Sequence, residues 1–166
     1  MKFIYLFTFL YSFIDAGNYN IEKSLVTYFG NHVLHKWEGS TNDVQGVVSY
    51  DKDSDQYECS ISVPLSTFSS GNDSRDSNML IYCKAFDFPN IIFESTLIKV
   101  KGSTLEIEGR IEFAGKEKEI KTNAKLNSLN NNSFAIEGEL DILLSEFEVE
   151  RPSLLFVEIE DLVKIK

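Results

Sequence analysis

The chain has 166 residues and carries 26 acidic against 16 basic side chains, for a net charge of −10. That length suits one domain able to bury a substantial core. The acidic surface weighs against nucleic acid as a partner and against electrostatic docking on anionic headgroups, because it repels phosphate.

The chain opens with Lys2 and then an apolar run from Phe3 to Ile14, broken only by Thr8 and Ser12. Asp15, Ala16 and Gly17 follow. A short positive start, an apolar stretch and small residues near a cut site are the layout of a secretory signal. The run is short of the roughly 18 apolar residues that suggest a membrane span. Residues 1–16 are therefore expected to be a signal peptide and 17–166 the exported domain; a retained interfacial anchor is the alternative.

Beyond this segment the dominant signal is period-two alternation. Leu25 to Phe29 and Val33 to Trp37 read as strands. Asp43 to Tyr50 and Gln56 to Val63 flank a polar turn at 51–55, which makes a hairpin. Ile91 to Val100 is a further strand. From Thr104 to Phe113, Leu105, Ile107, Gly109, Ile111 and Phe113 share one face, and Thr104, Glu106, Glu108, Arg110 and Glu112 share the other. The pattern returns from Glu119 to Leu126 and from Ser133 to Ile142, and Val157 to Ile165 closes the chain. Turn clusters at 101–103, 114–117 and 130–132 separate consecutive strands. These are half-buried antiparallel strands with one wet face. Many such strands require a closed barrel or a sandwich, since an open sheet would expose its apolar face.

One segment breaks the pattern. Between Ser74 and Phe86, the residues Met79, Tyr82, Cys83 and Phe86 recur at helical spacing. Asp73 or Ser74 is placed to cap the start, Asp76 favours the positive end of the dipole, and Pro89 stops the helix. Cys59 and Cys83 are the two cysteines. They either pair in an oxidising compartment, worth about 3 kcal/mol, or are buried small hydrophobes.

The run from Ser70 to Leu80, with Asn72 and the Arg75–Asp76 pair, is followed by Ala85 to Ser95 with Pro89 leading a strand. Val47 to Asp51, Val63–Pro64, Gly109, Gly115 to Lys118, Arg151 to Leu155 and Asp161 stand in the same order around it. This arrangement resembles the YceI-like polyisoprenoid-binding family over about residues 18 to 166. The family pattern commonly has histidine where this chain has Asn78, so no role resting on that histidine is carried over. The resemblance implies an all-β, closed antiparallel up-and-down barrel of the lipocalin kind. It would have about eight strands, with the helix inserted between them. It also implies periplasmic export and an apolar tunnel for an isoprenoid or similar long lipid.

A lipid-binding barrel must leave apolar space unfilled. Gly109 and Gly138 on inward faces would free such space, or else mark a bulge or corner. Met79, Phe93, Leu105, Ile107, Phe113 and Phe134 are candidate lining residues, each of which could equally be plain core. Arg75 could meet an anionic headgroup at the mouth; the commoner role is to tie the helix start to a neighbouring loop. The sequons at Asn72 and Asn131 arise readily in a chain rich in Asn and Ser.

His32 and His35, three apart on a strand, point to opposite faces unless a turn intervenes, and no Cys or carboxylate cluster near them has metal spacing. No Gly-x-Ser-x-Gly elbow is present. The sequence therefore points to an exported, non-catalytic carrier of an isoprenoid or fatty-acyl-type lipid, without cofactor, metal or membrane span. The alternatives are an interaction module with a filled core and an enzyme acting on an apolar substrate.

Overall fold

A computed structural model describes residues 17–130 and 133–166. The expected signal peptide at 1–16 lies outside these residues, as do Asn131 and Asn132 of the third turn cluster and second sequon. Among the described residues no helix is long and apolar enough to cross a membrane.

Among the described residues thirteen strands and one α-helix follow in chain order. β1 (Asn18–Asn20), β2 (Val26–His32), β3 (His35–Thr41), β4 (Gln45–Asp51) and β5 (Gln56–Pro64) precede helix α1 (Asp73–Tyr82). The long strands β6 (Asn90–Lys101), β7 (Thr104–Phe113) and β8 (Lys116–Asn130) come next. β9 (Ser133–Gly138) and β10 (Leu140–Leu143) are nearly continuous. β11 (Ser153–Leu154), β12 (Val157–Glu158) and β13 (Leu162–Ile165) end the chain.

All pairings between strands are antiparallel. Seven strands form one sheet in the order β1-β4-β5-β6-β7-β8-β9, and four form a second in the order β10-β13-β2-β3. At Glu139 the chain leaves the first sheet and enters the second, so the two are consecutive parts of one curled wall. The curl is strong enough that Tyr19 on edge strand β1 meets Phe134 on the opposite edge strand β9, with ring centroids 5.9 Å apart. The hydrogen-bonded ladder does not run full circle as the expected eight-stranded barrel would. Strand β3 is instead tied to the loop after β5 by paired backbone hydrogen bonds between Ser40 and Ser69. Thr41 and Thr67 join hydroxyls beside them at 2.7 Å.

Local chemistry explains the elements. The β7–β8 hairpin turns on Ala114 and Gly115, both at positive φ, and pairs Phe113 with Lys116, which matches the twist of the flanking strands. On β7 the face bearing Leu105, Gly109, Ile111 and Phe113 is buried, while Thr104, Arg110 and Glu112 are exposed. Arg110 reaches Glu94 and Glu117 across the wet face, where ion pairs contribute little.

Helix α1 is capped by Asn72, whose side chain accepts from the Arg75 N–H at 3.0 Å. It ends at Tyr82 because Lys84 turns left-handed and Ala85 donates back to the Leu80 carbonyl. Pro89 thus lies beyond the stop. Phe86, expected on the buried stripe, falls past the helix end and is exposed.

The core sits at one end of the curled wall. Leu65, Cys83, Ile111, Phe113, Ile142, Leu144 and Phe147 pack together there, with Phe113 and Phe147 rings 5.5 Å apart.

Candidate functional site

Above this core lies an apolar cavity of about 510 Å³, within the range of small-molecule sites. Three walls enclose it. The concave face of the second sheet supplies Val26, Tyr28, Leu140, Ile142, Val163 and Ile165; β5, β6 and β7 supply Val63, Ile91, Ile111 and Phe113; the third wall is the helix.

Helix α1 and the residue after it present Arg75, Asn78, Met79, Tyr82 and Cys83 to the cavity. Their spacing of 3, 1, 3 and 1 is one face of an α-helix. The stripe is graded along its length: polar Arg75 and Asn78 stand at the N-terminal end, apolar Met79 and Cys83 at the other. Burial pushes the Cys83 thiol up to about 12 and the Cys59 thiol up to about 11. Both cysteines are free thiols, so of the two readings open from sequence the bridge is not formed. Cys83 belongs to the core cluster, whereas Cys59 sits in mid-strand opposite Val48.

The floor is built by two reciprocal pairs on the β2–β3 hairpin. Gly30 stands opposite Trp37, and Gly39 opposite Tyr28. Each ring lies flat over its glycine, close enough that a Cβ on Gly30 would meet Trp37 Cε2 at 2.3 Å and one on Gly39 would meet Tyr28 Cε1 at 2.4 Å. The glycines are the spaces the rings occupy. Burial pushes the Tyr28 phenol up, and the charge of Asp76 acts in the same direction while Arg75 opposes it.

Arg75 and Asp76 divide their labour. Asp76 accepts from the Ser70 N–H and hydroxyl, fixing the loop before the helix. Arg75 turns to the cavity, its guanidinium 5.7 Å from the Trp37 ring centroid, within cation–π range.

His32 and His35 do not point apart. Val33 and Leu34 form a turn between them, so the two histidines are cross-strand partners on one face with rings 5.8 Å apart. His32 is 3% exposed. The Leu34 N–H donates to its Nδ1 at 3.3 Å, so Nε2 carries the hydrogen and donates to the Val157 carbonyl at 3.1 Å. Both nitrogens are thereby committed to backbone. No group of three or more His, Cys, Asp or Glu among the described residues is placed to hold a metal.

Of the residues singled out from sequence, Met79, Phe113 and Arg75 line this cavity. Leu105, Ile107 and Gly109 occupy the same inward face of β7 further along, outside it. The volume above Gly109 is taken by Phe93, whose ring would lie 2.5 Å from an added Cβ. Phe134 and Gly138 lie on β9, where Phe134 is 44% exposed and packs edge-on against Tyr19.

Among the lining residues missed from sequence are Tyr28, Gly30 and Trp37, and Val149, Glu150, Pro152, Ser153, Leu154 and Ile159 of the segment after β10. A signal for the first three exists: Val26, Tyr28, Gly30 and His32 alternate on one strand, facing His35, Trp37, Gly39 and Thr41 on the next. The irregular segment carries no periodicity to read.

The chain matches the model of the YceI-like domain over residues 18–166. No curated protein sequence is similar enough to count as a relative. Several solved structures share the fold. BcnA of Burkholderia cenocepacia is 18% identical with a TM-score of 0.73, covering 85% of this chain and 91% of its own. A polyisoprenoid binding domain from Saccharophagus degradans, implicated in plant cell wall breakdown, is 10% identical with a TM-score of 0.73 and covers 91% and 95%. The YCEI protein of Campylobacter jejuni is 17% identical with a TM-score of 0.61 and covers 88% and 85%. At these identities the likeness speaks for the fold, while the family match spans nearly the whole described chain. This protein belongs to the YceI-like family.

Proposed function

We propose that the protein is an exported, non-catalytic carrier, periplasmic or secreted, that holds an isoprenoid or other long apolar lipid in the cavity under helix α1. The observation that carries this reading is the cavity itself: about 510 Å³ of space walled mostly by aliphatic and aromatic side chains, with Arg75 and Asn78 at one end of the helix. Moving apolar ligand surface out of water contributes about 25 cal/mol per Å² before the costs of association. A flexible chain of repeated branched units fits such a lining better than a polar metabolite would. Arg75 is placed to receive an anionic or hydroxyl head at the mouth. The binding of polyisoprenoid by the Saccharophagus degradans domain supports the same ligand class.

Catalysis by His32 has less support, because both its ring nitrogens are already engaged by backbone.

Trp37, the chain's single tryptophan, lies on the cavity wall and supplies the assay. Protein purified without detergent should release a prenyl or acyl lipid detectable by mass spectrometry. The emptied protein should change its Trp37 emission when titrated with farnesol. Empty protein whose emission ignores farnesol and long-chain fatty acid alike would refute the carrier reading.

A further inference from the structure

Two hairpins carry large apolar side chains at their tips, where a soluble protein ordinarily places polar turn residues. Val33 and Leu34 connect β2 to β3 and are 72% and 61% exposed; Leu155 and Phe156 connect β11 to β12 and are 72% and fully exposed. The second turn is the more unusual. Leu155 and Phe156 sit at φ 53° and 66°, a two-residue turn conformation that favours Asn-Gly because a Cβ resists it. Local backbone preference therefore works against these two residues, and so does exposure to water.

The two tips are neighbours. His32, immediately before the first turn, donates to the carbonyl of Val157, immediately after the second. The Glu160 N–H donates to the Asn31 carbonyl alongside at 2.9 Å. They also stand at the cavity entrance. His35, Ser153 and Leu154 are at once solvent-facing and cavity-lining, as are Asn78 and Glu150, so the opening lies beside these hairpins and the helix. Charge does not mark this end: Arg151 is paired with Glu158, and Glu150 and Glu160 stand exposed behind the tips.

We propose that these two tips form a lip that dips into the boundary between headgroups and acyl chains of a lipid bilayer. Shallow insertion of a few apolar side chains gives reversible attachment, unlike a membrane span. The carboxylates behind the tips repel anionic headgroups, so attachment rests on the apolar tips alone and suits a zwitterionic surface. Attachment at this edge would bring the cavity opening against the source of its guest; that purpose rests on the carrier reading, although the attachment itself does not.

The test is flotation of the protein with phosphatidylcholine vesicles. The variant Leu155→Asn/Phe156→Gly removes the apolar tip while supplying the residues this turn prefers, so the hairpin is kept. Its vesicle-bound fraction should fall by at least about tenfold, with its farnesol titration by Trp37 emission unchanged. Val33→Thr/Leu34→Asn should act in the same direction. Wild-type protein that does not float, or a variant that floats equally well, would overturn the proposal. A wild-type dimer that the variant splits, without vesicle attachment, would make the tips a contact between copies and overturn it too. Flotation without any farnesol uptake would leave the lip standing and remove the carrier reading.

Discussion

Replacing Gly30 by alanine tests whether the cavity floor is built as described. The added methyl would lie 2.3 Å from Cε2, 2.4 Å from Cζ2 and 2.7 Å from Nε1 of Trp37, where unstrained carbon contacts settle at about 3.5–4.0 Å. The indole must therefore retreat by about 1 Å. The sheet lies on one side of it and the cavity on the other, so it lifts into the cavity, toward Arg75. Overpacking of this kind costs about 1–3 kcal/mol, which for a domain of this size lowers Tm by about 2–12 °C. Removing some 50 Å² of contact surface from the ligand would weaken farnesol binding by about tenfold. Thermal melts by circular dichroism and emission titrations read the two effects. In a double-mutant cycle with Trp37→Val, which removes the clashing ring, the methyl should become nearly harmless, giving a coupling of about 1–3 kcal/mol. A Gly30→Ala variant that melts within about 1 °C of wild type with unaltered emission would show that the ring does not rest on the glycine.

Asp161 accepts from the Ser145 N–H at 2.8 Å and the Ser145 hydroxyl at 2.5 Å, and the hydroxyl holds its carboxyl below the usual range. Asp161→Ala should cost about 1 kcal/mol at neutral pH. A depressed carboxylate stabilises the fold above its unfolded pKa and loses that contribution as pH falls below about 4, so urea melts should show the gap to wild type closing in acid. Burial raises both thiols in the fold, so above about pH 9 the unfolded chain releases their protons first, and stability should fall with rising pH. At pH 8, iodoacetamide should label native Cys83 about a thousandfold more slowly than the unfolded chain; rapid native labelling by mass spectrometry would contradict its burial. Phe134→Ala removes the edge-on contact with Tyr19, worth about 0.5–1.5 kcal/mol, and amide exchange should quicken in β1 while β6 and β7 stay protected.

Alternation on β7 and helical spacing around Met79 were legible in the sequence, because burial on one side leaves a period that survives folding. What alternation cannot report is whether the buried side faces other side chains or a void. Leu105, Ile107 and Gly109 share an inward face with Ile111 and Phe113, yet only the last two border the cavity. The emptiness is decided by Phe93 filling one stretch and by the distance of helix α1 from the other. The histidines were misplaced for a different reason. Val33 and Leu34 are β-prone and apolar, so the turn they form reads as the start of the second strand. Glu139 and the 160–161 bend likewise interrupt strands that read as continuous, because a change of partner sheet leaves the hydrophobic period intact.

A hollow interior poses a packing problem that the β2–β3 hairpin answers. Apolar side chains pointing inward tend to meet in the middle and close any void, since close packing is the stable state of an interior. Trp37 and Tyr28 are long enough to do this, but each lies down on a cross-strand glycine instead. Each ring then covers backbone, gains its contacts from the sheet and presents a flat face to the space above. Phe93 over Gly109 shows the same device on the other sheet, outside the lining of this cavity. The glycine–aromatic pair therefore lines a wall but does not by itself create the void. The void needs the opposite wall held at a distance, which is what the Asn72 cap, the Asp76–Ser70 hydrogen bonds and the Ser40–Ser69 bridge accomplish for helix α1. Loosening that strap should let the helix sink toward Trp37 and close the cavity without unfolding the sheets. For this reason ligand capacity belongs to the loop at 65–72 as much as to the residues that touch the ligand.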